Sequence, residues 1–151
     1  MVWLVFFGLV FMAAMSGAIF KPGDWYDALA KPSWNPPDWA FPVVWSILYI
    51  LIAIAGVLVW RAEGFGVAMA FWGAQLVLNA LWSALFFGMK RMDLALYEVS
   101  ALWVSIAGFI VTAWPVSQVA ALLFVPYLIW VTIAAVLNRT VLRLNPGAVP
   151  A

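Results

Sequence analysis

Gln75, Asn79, Trp82 and Phe86 recur at spacings of four, three and four residues, which stacks two amides and two aromatic rings on one face of a helix. The segment around them is almost wholly apolar, so the amides need partners. One supply is hydrogen bonding between helices, worth about 0.6 kcal/mol on average in measured cycles. The other is a pocket that the amides line with the two aromatic rings beside them. Tyr127, Trp130, Ala134 and Leu137 repeat the pattern further along, and Trp45 and Tyr49 stand one helical turn apart. Trp3, Trp60 and Trp114 lie at the ends of apolar runs and read as interfacial belt residues. Trp82 and Trp130 lie too deep for a belt and read as ligand-facing or helix-packing residues.

Conventional catalysis finds little here. The chain has no histidine and no cysteine, which excludes a Ser-His nucleophile, a thiolate, a disulfide framework and a Cys/His zinc site. Glu98 stands roughly one turn inside its apolar run, where a carboxylate is costly unless it snorkels or is paired. Lys90 and Arg91 are near enough in sequence to pair with it, so a structural ion pair or interfacial acid outweighs a proton relay. A net charge of +1 with no clustered basic face excludes a nucleic-acid binder. No metal site and no required cofactor are expected.

The elements that must hold these residues follow from the solvent. Of 151 residues, 68% are hydrophobic and 9% charged, and the mean hydropathy is +1.09. Soluble domains carry about 45–50% apolar and about 25% charged residues. The surface is therefore written for lipid. Apolar runs at 3–20, 41–60, 67–88, 94–114 and 119–138 each approach the roughly 20 residues that cross a hydrocarbon core. The expected fold is all-α, a polytopic membrane protein with one five-helix transmembrane bundle. The first run ends in small residues like a signal-peptide cleavage region, but no Lys or Arg precedes it, so it reads as a span.

Short connections at 61–66, 89–93 and 115–118 make sequential helices antiparallel neighbours. Residues 21–40 form a long loop carrying Pro22, Pro32, Pro36 and Pro37, long enough to serve a function. Pro126 should bend the last span. Lys21, Lys31, Lys90, Arg91, Arg139 and Arg143 share one end and Arg61 the other, which puts the long loop and the C-terminus in the cytoplasm and leaves open which membrane, inner or outer. Gly66, Ala70 and Ala74 have small-xxx-small spacing, which points to a homodimer through the third span.

Longer motifs are more specific. The loop and second span read Lys31-Pro32-Ser33-Trp34-Asn35-Pro36-Pro37-Asp38-Trp39 and Trp45-Ser46-Ile47-Leu48-Tyr49. The third span reads Gln75-Leu76-Val77-Leu78-Asn79-Ala80-Leu81-Trp82, then Phe86-Phe87-Gly88. The fifth carries Pro126-Tyr127-Leu128-Ile129-Trp130 and Leu137-Asn138. From about Gly17 to Asn138 the chain resembles the TspO/translocator protein family, the tryptophan-rich sensory proteins that include the peripheral-type benzodiazepine receptor, and it looks like a bacterial member.

That resemblance implies a ligand class: porphyrins such as protoporphyrin IX, haem, sterols, and synthetic isoquinolines and benzodiazepines, held among the helices under the first loop. The matching positions are Tyr26, Pro36 and Trp39 in the loop, Trp45 and Tyr49 on the second span, Asn79 and Phe86 on the third, and Trp130, Ala134 and Leu137 on the fifth; Trp82 joins them from the helical face already described. Animal members carry a tyrosine after the Leu-Asn of the fifth span in a sterol-contact pattern, which Arg139 breaks here. They also carry a tryptophan where this chain has Leu94. The resemblance implies a tetrapyrrole receptor or carrier with a sensory or transport role. It leaves two alternatives: an enzyme degrading porphyrin under light, with Trp45 and Trp130 as redox-active candidates, or a membrane scaffold.

Overall fold

The computed structural model describes residues 1–20 and 22–148. Five helices are long and apolar enough to cross a membrane, and no strand is present among the described residues. They are α1 (Val2–Ile19), α3 (Ala40–Glu63), α4 (Val67–Ser83, continued by a π turn over Ala84–Gly88), α5 (Met92–Ala113) and a fifth span made of α6 (Gln118–Leu123) and α7 (Val125–Leu144). A one-turn helix, α2 (Asp24–Asp27), lies in the long loop. The protein is thus an all-helical, multi-pass membrane protein whose outer faces meet lipid.

Each span buries one stripe and leaves the rest apolar but exposed, which is the pattern lipid permits. In α5 the stripe is Met92, Ala95, Glu98, Val99, Leu102, Ser105, Ile106, Phe109 and Ala113. The helix α1 packs on α3 and α4; α4 packs on α5, and α5 on α6 and α7. The approach of α1 to α3 and α4 depends on Gly56, where a Cβ would lie 2.6 Å from Phe6 and 2.7 Å from Trp72. The indole of Trp72 donates to the Ile52 carbonyl at 2.9 Å across the same contact.

The fifth span divides at Phe124, two residues before Pro126. Proline has no N–H to give and its ring crowds the preceding turn, so the ladder stops and restarts; the Leu128 amide bonds the Phe124 carbonyl at 2.9 Å. Phe124 turns into the core against Phe109, ring centroids 4.0 Å apart. The division lets α6 pack on α3 while α7 packs along α5.

Several boundaries differ from those read from sequence. The second span runs on to Glu63 and is stopped by Gly64, whose φ of +70° suits glycine. The fifth continues to Leu144, because Val141 and Leu142 still pack against the bundle while Arg139 and Arg143 reach outward. Glu98 forms no ion pair among the described residues: Arg91 is taken by Asp93 at 2.7 Å, and both Glu98 carboxyl oxygens are buried without a partner. Lys90, Lys31 and Arg143 do gather at one end of the bundle, where the long loop docks, but Lys21 lies outside the described residues.

Candidate ligand site

A cavity of about 590 Å³ opens among α1, α3, α4, α5 and α7 beneath the long loop. Its walls are mainly aromatic. Trp45 stacks on Tyr49 with centroids 5.5 Å apart, and Trp82 stacks on Phe86 at 5.0 Å. The gap between α3 and α7 is bridged by Phe41 and Trp130, edge to face at 5.6 Å. Ala134 and Leu137 continue the α7 wall, one and two turns beyond Trp130. Ala134 is the small residue in that row, which keeps the space in front of it open.

One side of the cavity is polar, and its polarity comes from a chain of side chains reaching into the bundle. The Tyr49 hydroxyl donates to Asn79 Oδ1 at 3.2 Å, and Asn79 Nδ2 donates to Tyr127 Oη at 2.7 Å. The Tyr127 hydroxyl donates in turn to Gln75 Oε1 at 2.8 Å. Gln75 and Tyr127 are fully buried. The amides of the third span therefore do bond between helices, and Asn79 also faces the cavity. Nearer the loop, the Trp82 indole donates to Asn138 Oδ1 at 3.2 Å, and Asn138 Nδ2 donates to the Met92 carbonyl at 2.9 Å. That pair ties α4, α5 and α7 together at the cavity wall.

The loop is held down by aromatic and backbone contacts. Tyr26 is buried against Phe86 and Phe87, with centroids 6.0 and 5.4 Å away. Burial lifts its phenol above the usual tyrosine range, with the Asp38 and Asp27 carboxylates adding to the effect. Lys31 Nζ donates to the Tyr26 carbonyl at 2.8 Å and lies 4.5 Å from the Tyr26 ring centre. The π turn widens α4 just where Phe86 and Phe87 meet Tyr26, and the Gly88 backbone comes so close to Phe20 that a Cβ would lie 2.6 Å from its ring.

Of the residues singled out from sequence, Tyr26, Trp45, Tyr49, Asn79, Trp82, Phe86, Trp130, Ala134 and Leu137 line this one cavity. Pro36 and Trp39 do not. Trp39 precedes the first turn of α3 with 69% of its surface exposed, so it points away from the loop's inner side. Sequence reasoning passed over Phe41, Ser46, Asn138 and the loop carboxylates Asp27 and Asp38, all of which reach the cavity. Phe41 and Asn138 lie four residues before Trp45 and after Ala134, so the helical repeat would have found both. The two carboxylates lie in irregular chain, which no periodicity marks. Ala70 and Ala74 are exposed on the outer face of α4.

Known proteins resemble this chain along almost its whole length. It is 48% identical over 151 residues to the tryptophan-rich sensory protein of Cereibacter sphaeroides, covering 95% of this chain and 92% of that one. It is 44% identical over 153 residues to protein CrtK of Rhodobacter capsulatus, covering 97% and 94%. The human translocator protein is 36% identical over 139 residues, covering 87% and 82%. The family model described as TspO/MBR matches residues 2–144, from the start of α1 to the end of α7. With the five spans and relatives of these kinds, the match makes the chain a member of the TspO/MBR family.

Proposed function

We propose that the protein is a membrane receptor or carrier for porphyrins, protoporphyrin IX and haem among them, and for related flat hydrophobic molecules. The observation that carries this reading is the cavity itself: about 590 Å³, walled by rings from α3, α4 and α7, with an amide on one side and a docked loop above. Its size suits a drug-sized or larger planar ligand. A macrocycle burying about 400 Å² of apolar surface would gain roughly 10 kcal/mol on leaving water. Most of that gain vanishes when the alternative is lipid. Selectivity then rests on ring stacking, about 0.5–1.5 kcal/mol per aromatic pair, and on polar groups such as Asn79, which sets the affinity at about micromolar.

The chain's own residues do the rest. Trp45 and Trp130 bound the ligand's faces, Ala134 leaves room for it, and Tyr26 with its loop excludes water and lipid from above. A sensory or transport output fits the relatives named as sensory and translocator proteins. The positive-inside rule assigns the loop end to the cytoplasm. The exposed Ala70 and Ala74 support a homodimer through α4.

The test is a titration of detergent-solubilised protein with protoporphyrin IX in darkness, read by tryptophan quenching and followed by illumination. Saturable quenching with a stable porphyrin spectrum is the expected result. Bleaching that requires Trp45 or Trp130 would instead favour light-dependent degradation with dioxygen as oxidant. Absence of saturation would favour a scaffold.

A further inference from the structure

The polar wall of the cavity ends in an unmatched group. Gln75 Nε2 is buried and has no hydrogen-bond partner among the described residues, although Gln75 Oε1 accepts from Tyr127. The chain Tyr49 to Asn79 to Tyr127 to Gln75 therefore runs in one direction, donor to acceptor at every step, and leaves an orphan donor at its inner end. In this direction the Tyr49 proton is spent on Asn79, so Tyr49 Oη faces the cavity as an acceptor.

We infer that this four-residue chain is reversible, and that Gln75, which never reaches the cavity, sets whether Tyr49 offers a ligand an acceptor or a donor. An amide's oxygen and nitrogen are nearly equal in size, so turning Asn79 and Gln75 about their last side-chain bonds changes no packing. The reversed chain keeps all three heavy-atom contacts. Gln75 Nε2 then donates to Tyr127 Oη, the Tyr127 hydroxyl to Asn79 Oδ1, and Asn79 Nδ2 to Tyr49 Oη. The Tyr49 proton is released toward the cavity. At the inner end, reversal exchanges an unpaired buried N–H for an under-used carbonyl, and a buried carbonyl tolerates that state better than a buried N–H. The two directions differ only at that inner end and at the cavity, so a hydrogen bond from a ligand can tip the balance. A ligand edge carrying an N–H or O–H selects the first direction, and one carrying a carbonyl or carboxylate selects the second.

The consequence is a wall that recognises that a polar edge is present while accepting either kind, which widens the set of planar ligands the cavity takes. This inference rests on the reading that the cavity binds such ligands, and it assigns positioning roles to Gln75 and Tyr127.

The experiment uses two flat three-ring probes of nearly equal footprint, carbazole with an N–H edge and fluorenone with a C=O edge, titrated into the full chain in one detergent. Wild-type protein is expected to bind both, within about tenfold of each other. Tyr49→Phe should weaken both by about three- to tenfold, because one hydroxyl serves both. In Gln75→Met the Tyr127 hydroxyl keeps Asn79 Oδ1 as its acceptor in the reversed direction alone, so the affinity ratio should move toward fluorenone by about three- to tenfold. In a Tyr127→Phe background the same Gln75→Met change should leave the ratio where it was.

Loss of one probe but not the other in Tyr49→Phe overturns the proposal, as does an unchanged ratio in Gln75→Met or no saturable binding of either probe to the wild type. Protoporphyrin IX is titrated alongside. If it fails to saturate while the probes behave as stated, the tetrapyrrole reading falls and the reversible wall stands; the converse pattern sinks the wall alone.

Discussion

The side-chain amide of Asn145 grips both backbone groups of Ala30 at once, Oδ1 accepting from the Ala30 amide at 2.9 Å and Nδ2 donating to the Ala30 carbonyl at 2.8 Å. Asn145 caps α7, and Ala30 lies in the long loop, so the end of the last span holds the cover over the cavity. Replacing Asn145 with Ala removes both bonds, and with them the Nδ2 bond to the Val141 carbonyl at 2.8 Å, in a partly wet setting where each is worth about 0.5–1.5 kcal/mol. Asn145→Ala is therefore expected to speed ligand release several-fold and to expose residues 21–40 to protease, with the helical content unchanged. A release rate and cleavage pattern equal to wild type would remove the grip from the account.

Asn138 is expected to matter more for stability. Asn138→Leu leaves the Trp82 indole without its acceptor and takes from the Met92 carbonyl, which stays paired within α5, its second donor. The stranded indole N–H costs about 1–3 kcal/mol and the lost second bond to the carbonyl about 0.5–1.5 kcal/mol. Thermal unfolding in detergent should show a clear drop in midpoint, and porphyrin binding should weaken with it because Trp82 loses its anchor. An unchanged midpoint would mean that the α4–α7 tie is dispensable.

Gly56→Ala tests the close approach of α1. The new methyl would meet Phe6 and Trp72 at 2.6 and 2.7 Å, on ring systems packed against each other with centroids 4.9 Å apart. Overpacking of this kind costs about 1–3 kcal/mol. The expected outcome is a lowered unfolding midpoint with ligand affinity little changed, since Gly56 does not line the cavity.

Ala134→Thr places a larger, polar side chain in the space before α7. Protoporphyrin IX binding is expected to weaken several-fold while circular dichroism stays that of the wild type. Equal affinities would take Ala134 out of the site.

Much of this architecture is legible in the sequence because lipid enforces simple rules. Apolar runs of crossing length, interrupted by Pro, Gly and charge, mark the five spans to within a few residues at most ends. The helical repeat then brings Trp45, Tyr49, Asn79, Trp82 and Trp130 to one cavity. What the repeat does not carry is the partner of each polar group. Glu98 looks paired to Lys90 or Arg91 by proximity along the chain, yet Arg91 turns back to Asp93 at the start of α5. The loop is harder still. Its prolines announce an ordered segment but not its inner face, so of the anticipated Tyr26, Pro36 and Trp39 only Tyr26 reaches the cavity, where Pro22, Asp27 and Asp38 join it from the loop. Asn145 is invisible for a similar reason, since its bond partner lies 115 residues away in irregular chain.

The position of a bound macrocycle is the most direct test of the cavity as a ligand site. An experimental structure of the protein with protoporphyrin IX is predicted to show the ring between Trp45 and Trp130, with one edge toward Asn79 and the loop closed over it through Tyr26. A porphyrin found on the lipid-facing surface, with the space between α3, α4 and α7 unfilled, would contradict it.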